Sequence, residues 1–298
     1  MRCESAARWL DAFRTGELKS VKRKSLAAHL ERCPACARKL AGIKSLAGRV
    51  RRLRVRAPGR ILERVLEVAG DDYATVATDL GTYRVAFNAR GITLVRSSAE
   101  KAAAFESEYR RRFGRAVHRS ELPERLVRVV KEAVSGLSPA RIPMDLTGLP
   151  EFEREVLMLL RRIPQGEVRP YLWLAREAGR PKAVRAVGNV MARNPVPFLL
   201  PCHRVVPASG GIGNYAFGSR LKRELLRREG VPVEELDEFA RRHVRYVGSA
   251  STNIYCFPTC RDARRISTRN RVSFSSVKEA VSAGYRPCRR CQPEARAS

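Results

Sequence analysis

The sequence predicts an α+β protein of several domains, with a small cysteine-rich unit at each end of its 298 residues. Residues 73–97 alternate apolar and polar side chains, which is typical of strands, whereas residues 99–113 and 121–136 follow a helical period. The eight cysteines fall into an N-terminal group, a C-terminal group and the isolated Cys202. A chain of this length has room for two or three compact units, each stabilised by a core or by metal.

The charge is strongly positive. Lysine and arginine number 59 against 30 acidic residues, a formal net charge of +29. Such an excess indicates a polyanionic partner, and nucleic acid first. A thermophilic surface is the alternative, but such surfaces raise glutamate together with lysine, and this sequence does not.

Nothing in the sequence predicts a membrane segment. No apolar run approaches the roughly 18 residues of a spanning helix, and "MRCESAARWLDAF" has no secretory apolar core. We therefore expect a cytoplasmic protein without a membrane partner. Thiols stay reduced in that compartment, so the cysteines are expected to be metal ligands or nucleophiles.

The N-terminal cysteines have zinc-type spacing. In "HLERCPAC", His29 and Cys33 face one side of a helix, and Cys36 follows the turn at Pro34. Cys3 is the nearby candidate for the fourth ligand of a closed tetrahedral zinc site. The alternative is a helical hairpin with buried thiols. With "WLDAFRTGEL", residues 1–45 resemble the zinc-binding anti-sigma domain, which implies a sigma factor or another protein as partner.

The central part divides into segments of different periodicity. Residues 46–70 are predicted to form a basic linker helix without chemistry of its own. A three-stranded meander, with turns at Gly81 and Gly91, opens a β-sheet domain over residues 71–147. Over residues 148–232, "RPKAVRAVGNVMARNP" is predicted as the third helix of a helix-turn-helix.

Cys202 and His203 stand side by side in "NPVPFLLPCHRVVP", whose four prolines stiffen the backbone. On an extended segment neighbouring side chains point to opposite sides, so we expect a water to bridge the two residues. His203 would then be the base, and Glu229 the carboxylate that fixes its tautomer. A metal site lacks further ligands at suitable spacing, a cysteine protease would need a distant histidine, and a plain buried cysteine is the remaining alternative.

A resemblance to a known family supports the catalytic interpretation. The motifs "PMDLTGLPEF", "IPQGEV", "GRPKAVRAVGNVMARNP", "PCHRVV" and "GGIGNY" make residues 71–230 resemble the O6-alkylguanine-DNA alkyltransferases. The resemblance implies an RNase H-like sheet subdomain followed by a winged-helix-like domain. It also implies that Cys202 takes an alkyl group from guanine irreversibly, with His203 and Glu229 as its relay.

The resemblance also implies roles for other residues. Tyr171 would stabilise the leaving guanine, Asn194 would tie the third helix to the active-site loop, Tyr215 would stack on the flipped base, and the Val205 carbonyl would accept from its exocyclic amine. Arg185 would fill the gap that the base leaves. A helix is wider than the minor groove, so small residues are expected on its contact face, and these are Ala183, Ala186 and Gly188.

Two positions depart from the family pattern. Phe217 stands where a glycine is common, and its bulk is expected to narrow the mouth of the site. Pro170 stands where a hydroxyl residue commonly precedes the tyrosine, so one phosphate contact is not expected.

The C-terminal cysteines form a Cys-x3-Cys pair and a Cys-x2-Cys pair separated by 27 residues. This spacing predicts a zinc site of Cys256, Cys260, Cys288 and Cys291. Residues 245–295 resemble the zinc domain of Ada-type repair proteins. The resemblance implies that Cys256 also accepts methyl from a methylphosphotriester, while Phe257 departs from a basic residue common there. A zinc-stabilised DNA clamp without transfer is the alternative. The phosphate contacts are expected from four arginines: Arg264, Arg265, Arg269 and Arg271.

The sequence thus predicts a single-turnover DNA repair protein that binds double-stranded DNA and zinc. A DNA-damage sensor, or a sigma-factor-linked regulator with vestigial transfer activity, is the alternative function.

Overall fold

The computed structural model describes residues 3–15, 18, 20–52, 70–137 and 142–294. The chain divides into two compact units, Met1–Val65 and Leu66–Ser298. Within the described ranges, no helix combines the length and apolarity needed to cross a membrane.

The first unit is helical. Its described elements are α1 (Cys3–Thr15), α2 (Ser20–Arg32) and α3 (Pro34–Arg52). Pro34 suits the first position of α3, where no intrahelical partner for its missing N–H is needed. The buried core consists of Ala6, Leu10, Leu26, Cys36 and Leu40. Helix α3 continues past the predicted domain boundary at residue 45. Residues 53–69 of the predicted linker helix lie outside the described residues.

The second unit begins with an antiparallel meander of β1 (Asp71–Thr78), β2 (Gly81–Asn88) and β3 (Gly91–Ser97). The predicted meander is confirmed. A short β4 (Val117–Arg119) adds a parallel strand beside β1, which gives the order β3-β2-β1-β4. Gly91 has a φ of 138°, and a Cβ there would come within 2.3 Å of the Pro143 backbone, so only glycine fits the turn.

Two helices accompany this sheet, α4 (Ala102–Phe113) and α5 (Glu124–Val134). Phe105 and Tyr109 of α4 pack with Tyr73 and Leu94. Leu126 and Val130 of α5 belong to a separate, larger buried cluster. Apolar groups on both faces of the sheet are therefore covered.

Helices dominate the next segment. They are α6 (Glu151–Leu159), α7 (Tyr171–Glu177), α8 (Val184–Ala192), α9 (Ser219–Arg228) and α10 (Val233–Arg241). Helix α8, the predicted third helix of the helix-turn-helix, packs against α6 and α7. Two short parallel strands, β5 (Arg169–Pro170) and β6 (Val205–Val206), tie the start of α7 to the chain that follows Cys202.

A small sheet with the order β10-β8-β7-β9 ends the described chain. Its elements are β7 (Tyr246–Ser249), β8 (Ile254–Cys256), β9 (Arg271–Phe274), α11 (Val277–Ser282) and β10 (Arg286–Pro287). Phe257, Cys260 and Ala263 belong to the same buried cluster as Leu157 and Trp173. The second unit thus has a core that continues from the helical segment into the cysteine-rich end, and the predicted mixed α/β composition is confirmed.

Candidate active site and metal centres

Cys202 is buried in a single 3-10 turn, Cys202–Arg204, rather than in an extended segment. The predicted extended geometry is wrong because the Arg204 N–H donates to the Pro201 carbonyl and closes a turn. The Asn194 amide donates to Cys202 Sγ at 3.1 Å and to the Leu200 carbonyl at 2.9 Å. Asn194 therefore fixes both the sulfur and the loop that presents it.

His203 contacts Glu229, which ends helix α9. Burial raises the pKa of Glu229, but the hydrogen bonds from His203 and Arg204 and the charge of Arg204 outweigh burial, and the net pKa is lowered. A carboxylate only accepts, so His203 Nε2–H donates to Glu229 Oε1, at 2.7 Å. Nδ1 then carries the lone pair, and this buried nitrogen has no hydrogen-bond partner among the described residues.

Arg204 completes the buried charge arrangement. Its guanidinium donates to both carboxylate oxygens of Glu229, at 2.7 and 2.9 Å, and to the Ile163 carbonyl at 2.8 Å. Burial lowers the pKa of His203, against the opposing effect of Glu229. The imidazole is therefore neutral near pH 7 and able to take a proton. The sequence analysis missed Arg204, although a lone charge inside an apolar, proline-rich run is a signal of a paired buried ion.

Lys222 is a second residue that the sequence analysis missed. Its buried Nζ donates to the Val205 carbonyl at 2.6 Å and lies 3.4 Å from the Asn214 carbonyl. Burial lowers the pKa of Lys222 to about 8. Burial also raises the pKa of the Cys202 thiol, whereas Asn194, Tyr215 and the charge of Lys222 oppose that rise. The resting sulfur is therefore a protonated thiol. If it ionises, the hydrogen bonds from Asn194 and Tyr215 and the charge of Lys222 stabilise the thiolate.

Cys202 opens onto a cavity of about 1100 Å³. The Cys202 thiol lies 3.9 Å from the Tyr215 hydroxyl. The Phe217 ring lines this cavity with its centroid 5.6 Å from that of Tyr215 and 5.9 Å from that of Phe198. Tyr171 is half-buried at the start of α7, and the proximity of Cys202 adds to burial in raising its pKa. The predicted acceptor and its aromatic neighbours therefore occupy one region.

Helix α8 presents a surface of small residues. Ala183 precedes the helix, Arg185 and Ala186 are exposed, and Val187 and Val190 face the core. Gly188 has helical backbone angles, and a Cβ there would meet no atom of the described chain within 4 Å. Internal packing therefore does not require a glycine at this position.

The C-terminal cysteines form a four-sulfur cluster. The sulfurs of Cys256, Cys260, Cys288 and Cys291 lie within 4.8 Å of one another, and all four residues are buried. A tetrahedral site with zinc–sulfur bonds of about 2.3 Å requires such a set of thiolates, so the residues fit zinc. A groove of about 660 Å³ is lined by Cys256 and Cys288 together with arginines, namely Arg265, Arg286, Arg289 and Arg290.

Two of the four arginines predicted to hold phosphates have internal partners in the described chain. Arg264 donates to the Gly230 carbonyl at 3.1 Å, and Arg271 pairs with Glu235 at 2.8 Å. Arg264 is nevertheless exposed and Arg271 is half-buried, so their phosphate contacts stay a prediction. Arg265 and Arg269 remain exposed.

The N-terminal donors also converge. One ligand atom each from Cys3, His29, Cys33 and Cys36 lies within 4.8 Å of the others. Cys3 and Cys33 sulfurs are 3.7 Å apart, and His29 Nε2 is 3.4 Å from Cys36 Sγ. The set of three sulfurs and one imidazole fits a closed zinc site.

Comparison with known proteins agrees with these geometries. Residues 151–231 match the family model "6-O-methylguanine DNA methyltransferase, DNA binding domain", and residues 233–294 match "Metal binding domain of Ada". The chain is thus similar to an alkyltransferase DNA-binding domain over the first of these ranges and to an Ada-type metal-binding domain over the second. Both predicted resemblances are confirmed, and the second match together with the four sulfurs supports zinc as the cofactor.

Individual relatives cover parts of the chain. The bifunctional transcriptional activator/DNA repair enzyme Ada of Escherichia coli is 36% identical over 163 residues, 53% of this chain and 45% of that protein. The human methylated-DNA–protein-cysteine methyltransferase is 55% identical over 80 residues, 26% of this chain and 39% of that protein. These matches span less than half the length of the relatives. An O6-methylguanine methyltransferase structure from Mycobacterium tuberculosis is 27% identical, with a TM-score of 0.46, over 53% of this chain and 92% of that one.

Proposed function

We propose that this protein repairs O6-alkylguanine in duplex DNA by moving the alkyl group onto Cys202, once per molecule. The observation that carries the proposal is the buried Cys202 thiol beside the His203–Glu229–Arg204 arrangement, in a cavity within the segment that matches the alkyltransferase family. We also propose that the sheet segment is an RNase H-like subdomain and that the helical segment after it is a winged-helix-like domain.

The side chains of the site account for every proton and bond in the transfer step. His203 Nδ1 takes the thiol proton through a bridging water, because Nε2–H is held by Glu229. The sulfur forms a bond to the alkyl carbon while the bond between that carbon and O6 breaks, and its electrons remain on the guanine. The Tyr171 hydroxyl donates to the leaving base. The product is a thioether, which has no path back to a thiol here, so each molecule acts once.

Recognition of the base is assigned to groups close to Cys202 in the fold. Tyr215 stacks on the flipped guanine, and the Val205 carbonyl accepts from its exocyclic amine. Lys222, which bonds that carbonyl at 2.6 Å, holds it in place. Asn194 holds the sulfur at 3.1 Å.

DNA binding is assigned to helix α8 and the positive charge of the chain. The exposed Ala186, the half-buried Ala183 and the unobstructed Gly188 let the helix approach the minor groove closely. Arg185 is exposed and fills the gap left by the flipped base. Flipping costs a few kcal/mol in an intact stack, which this stacking side chain offsets.

Cys256 is proposed as a second acceptor, for the methyl group of a methylphosphotriester. Zinc, when bound, keeps its cysteine ligands as thiolates at neutral pH. A methylated phosphate is neutral, so the anionic cluster repels it less than an ordinary phosphate. Cys256 lines the arginine-rich groove, but so does Cys288. Peptide mapping after exposure to methylphosphotriester DNA distinguishes the two, and binding without a mass shift leaves only a DNA clamp.

The N-terminal unit is proposed to hold a zinc ion through Cys3, His29, Cys33 and Cys36. A sigma factor or other protein as its partner stays a prediction, as does a cytoplasmic location.

The deciding experiment measures intact mass after incubation with a duplex that contains O6-methylguanine. We expect the wild-type chain to gain the mass of one CH2 group, mapped to Cys202, and the Cys202→Ser variant to gain none while its DNA affinity is nearly unchanged. Normal demethylation by the serine variant, or no transfer by the wild-type chain, contradicts the proposal. If the wild-type chain binds the lesion but transfers no alkyl group, the damage-sensor alternative is favoured.

A further inference from the structure

The loop between the first two C-terminal cysteines packs into the alkyltransferase segment. The Val168 N–H donates to the Thr259 hydroxyl at 2.9 Å, and that hydroxyl lies 3.4 Å from the Val168 carbonyl, to which it can donate. Thr259 is fully buried, and Val168 is nearly so. The Thr259 side chain thus satisfies the buried Val168 N–H, while the Val168 carbonyl also accepts from the Arg169 guanidinium at 2.9 Å.

A buried cation lies beside this contact. The Arg169 guanidinium is 5.3 Å from the Phe257 ring centroid and 5.8 Å from that of Trp173. Glu167 pairs with Arg169 at 2.5 Å, and its other oxygen accepts from the Arg261 N–H at 3.1 Å. We call these contacts the seam, which joins Glu167, Val168 and Arg169 to Phe257, Thr259 and Arg261.

The seam is connected to the Cys202 turn through a pair of short strands. Arg169 and Pro170 form β5, which pairs with Val205 and Val206 of β6. Tyr171 follows β5 directly, and β6 follows the turn that contains Cys202. A shift of the seam would therefore be transmitted through β5 to Tyr171, which follows it, and to Val205 in β6.

We propose that Thr259 and Phe257 are positioning residues for transfer to Cys202, so that the zinc module is a structural part of the alkyltransferase site. The inference rests on the proposed function. Cys256 and Cys260 flank the loop, and their shared cluster fixes the distance across it. Phe257 stands where related zinc domains commonly have a basic residue. A basic side chain at this position would be repelled by the Arg169 guanidinium, whereas the phenylalanine ring packs against it.

The test compares three variants of the full-length chain. Thr259→Val keeps the shape and removes the hydroxyl, Thr259→Ser keeps the hydroxyl, and Thr75→Val makes the same change at an exposed position of β1. The measurements are zinc content, hydrogen exchange of the peptide containing Val168, the dissociation constant for lesion duplex, and the first-order transfer rate in the bound complex.

For Thr259→Val we expect unchanged zinc content and DNA affinity. We expect about tenfold faster exchange at Val168 and about tenfold slower transfer, because a buried N–H loses its partner. Thr259→Ser should restore both, and Thr75→Val should change neither.

The outcomes separate the two proposals. If the wild-type chain transfers and Thr259→Val transfers at the same rate, the positioning role is overturned and the proposed function stands. Faster exchange with an unchanged transfer rate overturns it too, because the seam is then only structural. If the wild-type chain transfers nothing, the proposed function fails first, and the positioning role falls with it.

Discussion

Replacement of Gly188 by alanine should stabilise the protein and impair repair at the same time. Gly188 lies inside α8, and apart from its neighbours and the backbone of its own helix no described atom lies within 4 Å of the position that a Cβ would take. Alanine is favoured over glycine in a helix interior by about 0.8–1.0 kcal/mol. We therefore expect the free energy of unfolding of the second unit to rise by about that amount in urea titrations.

The same methyl group should act oppositely on DNA. If α8 approaches the minor groove through Gly188, the added carbon holds the helix away from the groove by roughly the length of a carbon–carbon bond, about 1.5 Å. A misplacement of about 1 Å can slow a reaction about 100-fold. We expect a loss of 10- to 100-fold in single-turnover transfer from duplex, and no loss with the free O6-alkylated base.

Gly42→Ala is the matched control. Gly42 lies in α3, is exposed, and also has no described atom within 4 Å of a Cβ. It should stabilise the first unit without slowing transfer. A Gly188→Ala variant that repairs duplex DNA at the wild-type rate would refute the assignment of α8 to the DNA surface.

Three further predictions concern the chemistry of the cavity. Glu229→Gln should lower the free energy of unfolding by about 3–5 kcal/mol, measured in urea, because it removes the negative charge from a buried ion pair with Arg204; an unchanged midpoint and slope would contradict the buried pair. The pKa of His203 is lowered, so its basic form persists below the ordinary value of 6.5, and the transfer rate should fall only on acidification below that pH. A rate that already halves at pH 7.5 would argue against His203 as the base. Phe217→Gly should raise transfer of a benzyl-sized group relative to methyl, and an equal ratio of the two rates before and after the change rejects a narrowed mouth.

The sequence was sufficient for the long elements and the cysteine clusters. Alternation over 73–97 produced the meander, because eight-residue strands contain enough period to be recognised. Strands β4, β5 and β6 contain two or three residues, too few for any alternation, and only tertiary pairing defines them.

The missed site residues have a common physical reason. Lys222 stands in "SRLKRELLRREG", where charged residues look like a solvated face. Its spacing with Leu225, Leu226 and Glu229 follows the i, i+3, i+4, i+7 pattern of one helix face, which is the face that the structure buries. The spacing thus indicates that Lys222 is buried, although its charge is typical of a solvent-exposed position.

The role of Phe257 could not be predicted from any local sequence pattern. In the sequence it marks a departure from a basic residue, whereas in the structure its ring covers Arg169 from a position far along the chain. Contacts at such separation depend on how two segments dock, and that information is not contained in either segment alone.

The length of chain between the two sides of the seam affects biosynthesis. The Arg261 N–H that meets Glu167 is 94 residues farther along the chain. At a translation rate of about 5–20 residues per second, roughly 5 to 20 s pass between synthesis of these two residues. During that interval the Val168 backbone lacks the threonine that later satisfies it. We therefore expect the alkyltransferase segment to leave the ribosome incompletely packed, and to close around its acceptor sulfur only after the cysteine-rich end has emerged.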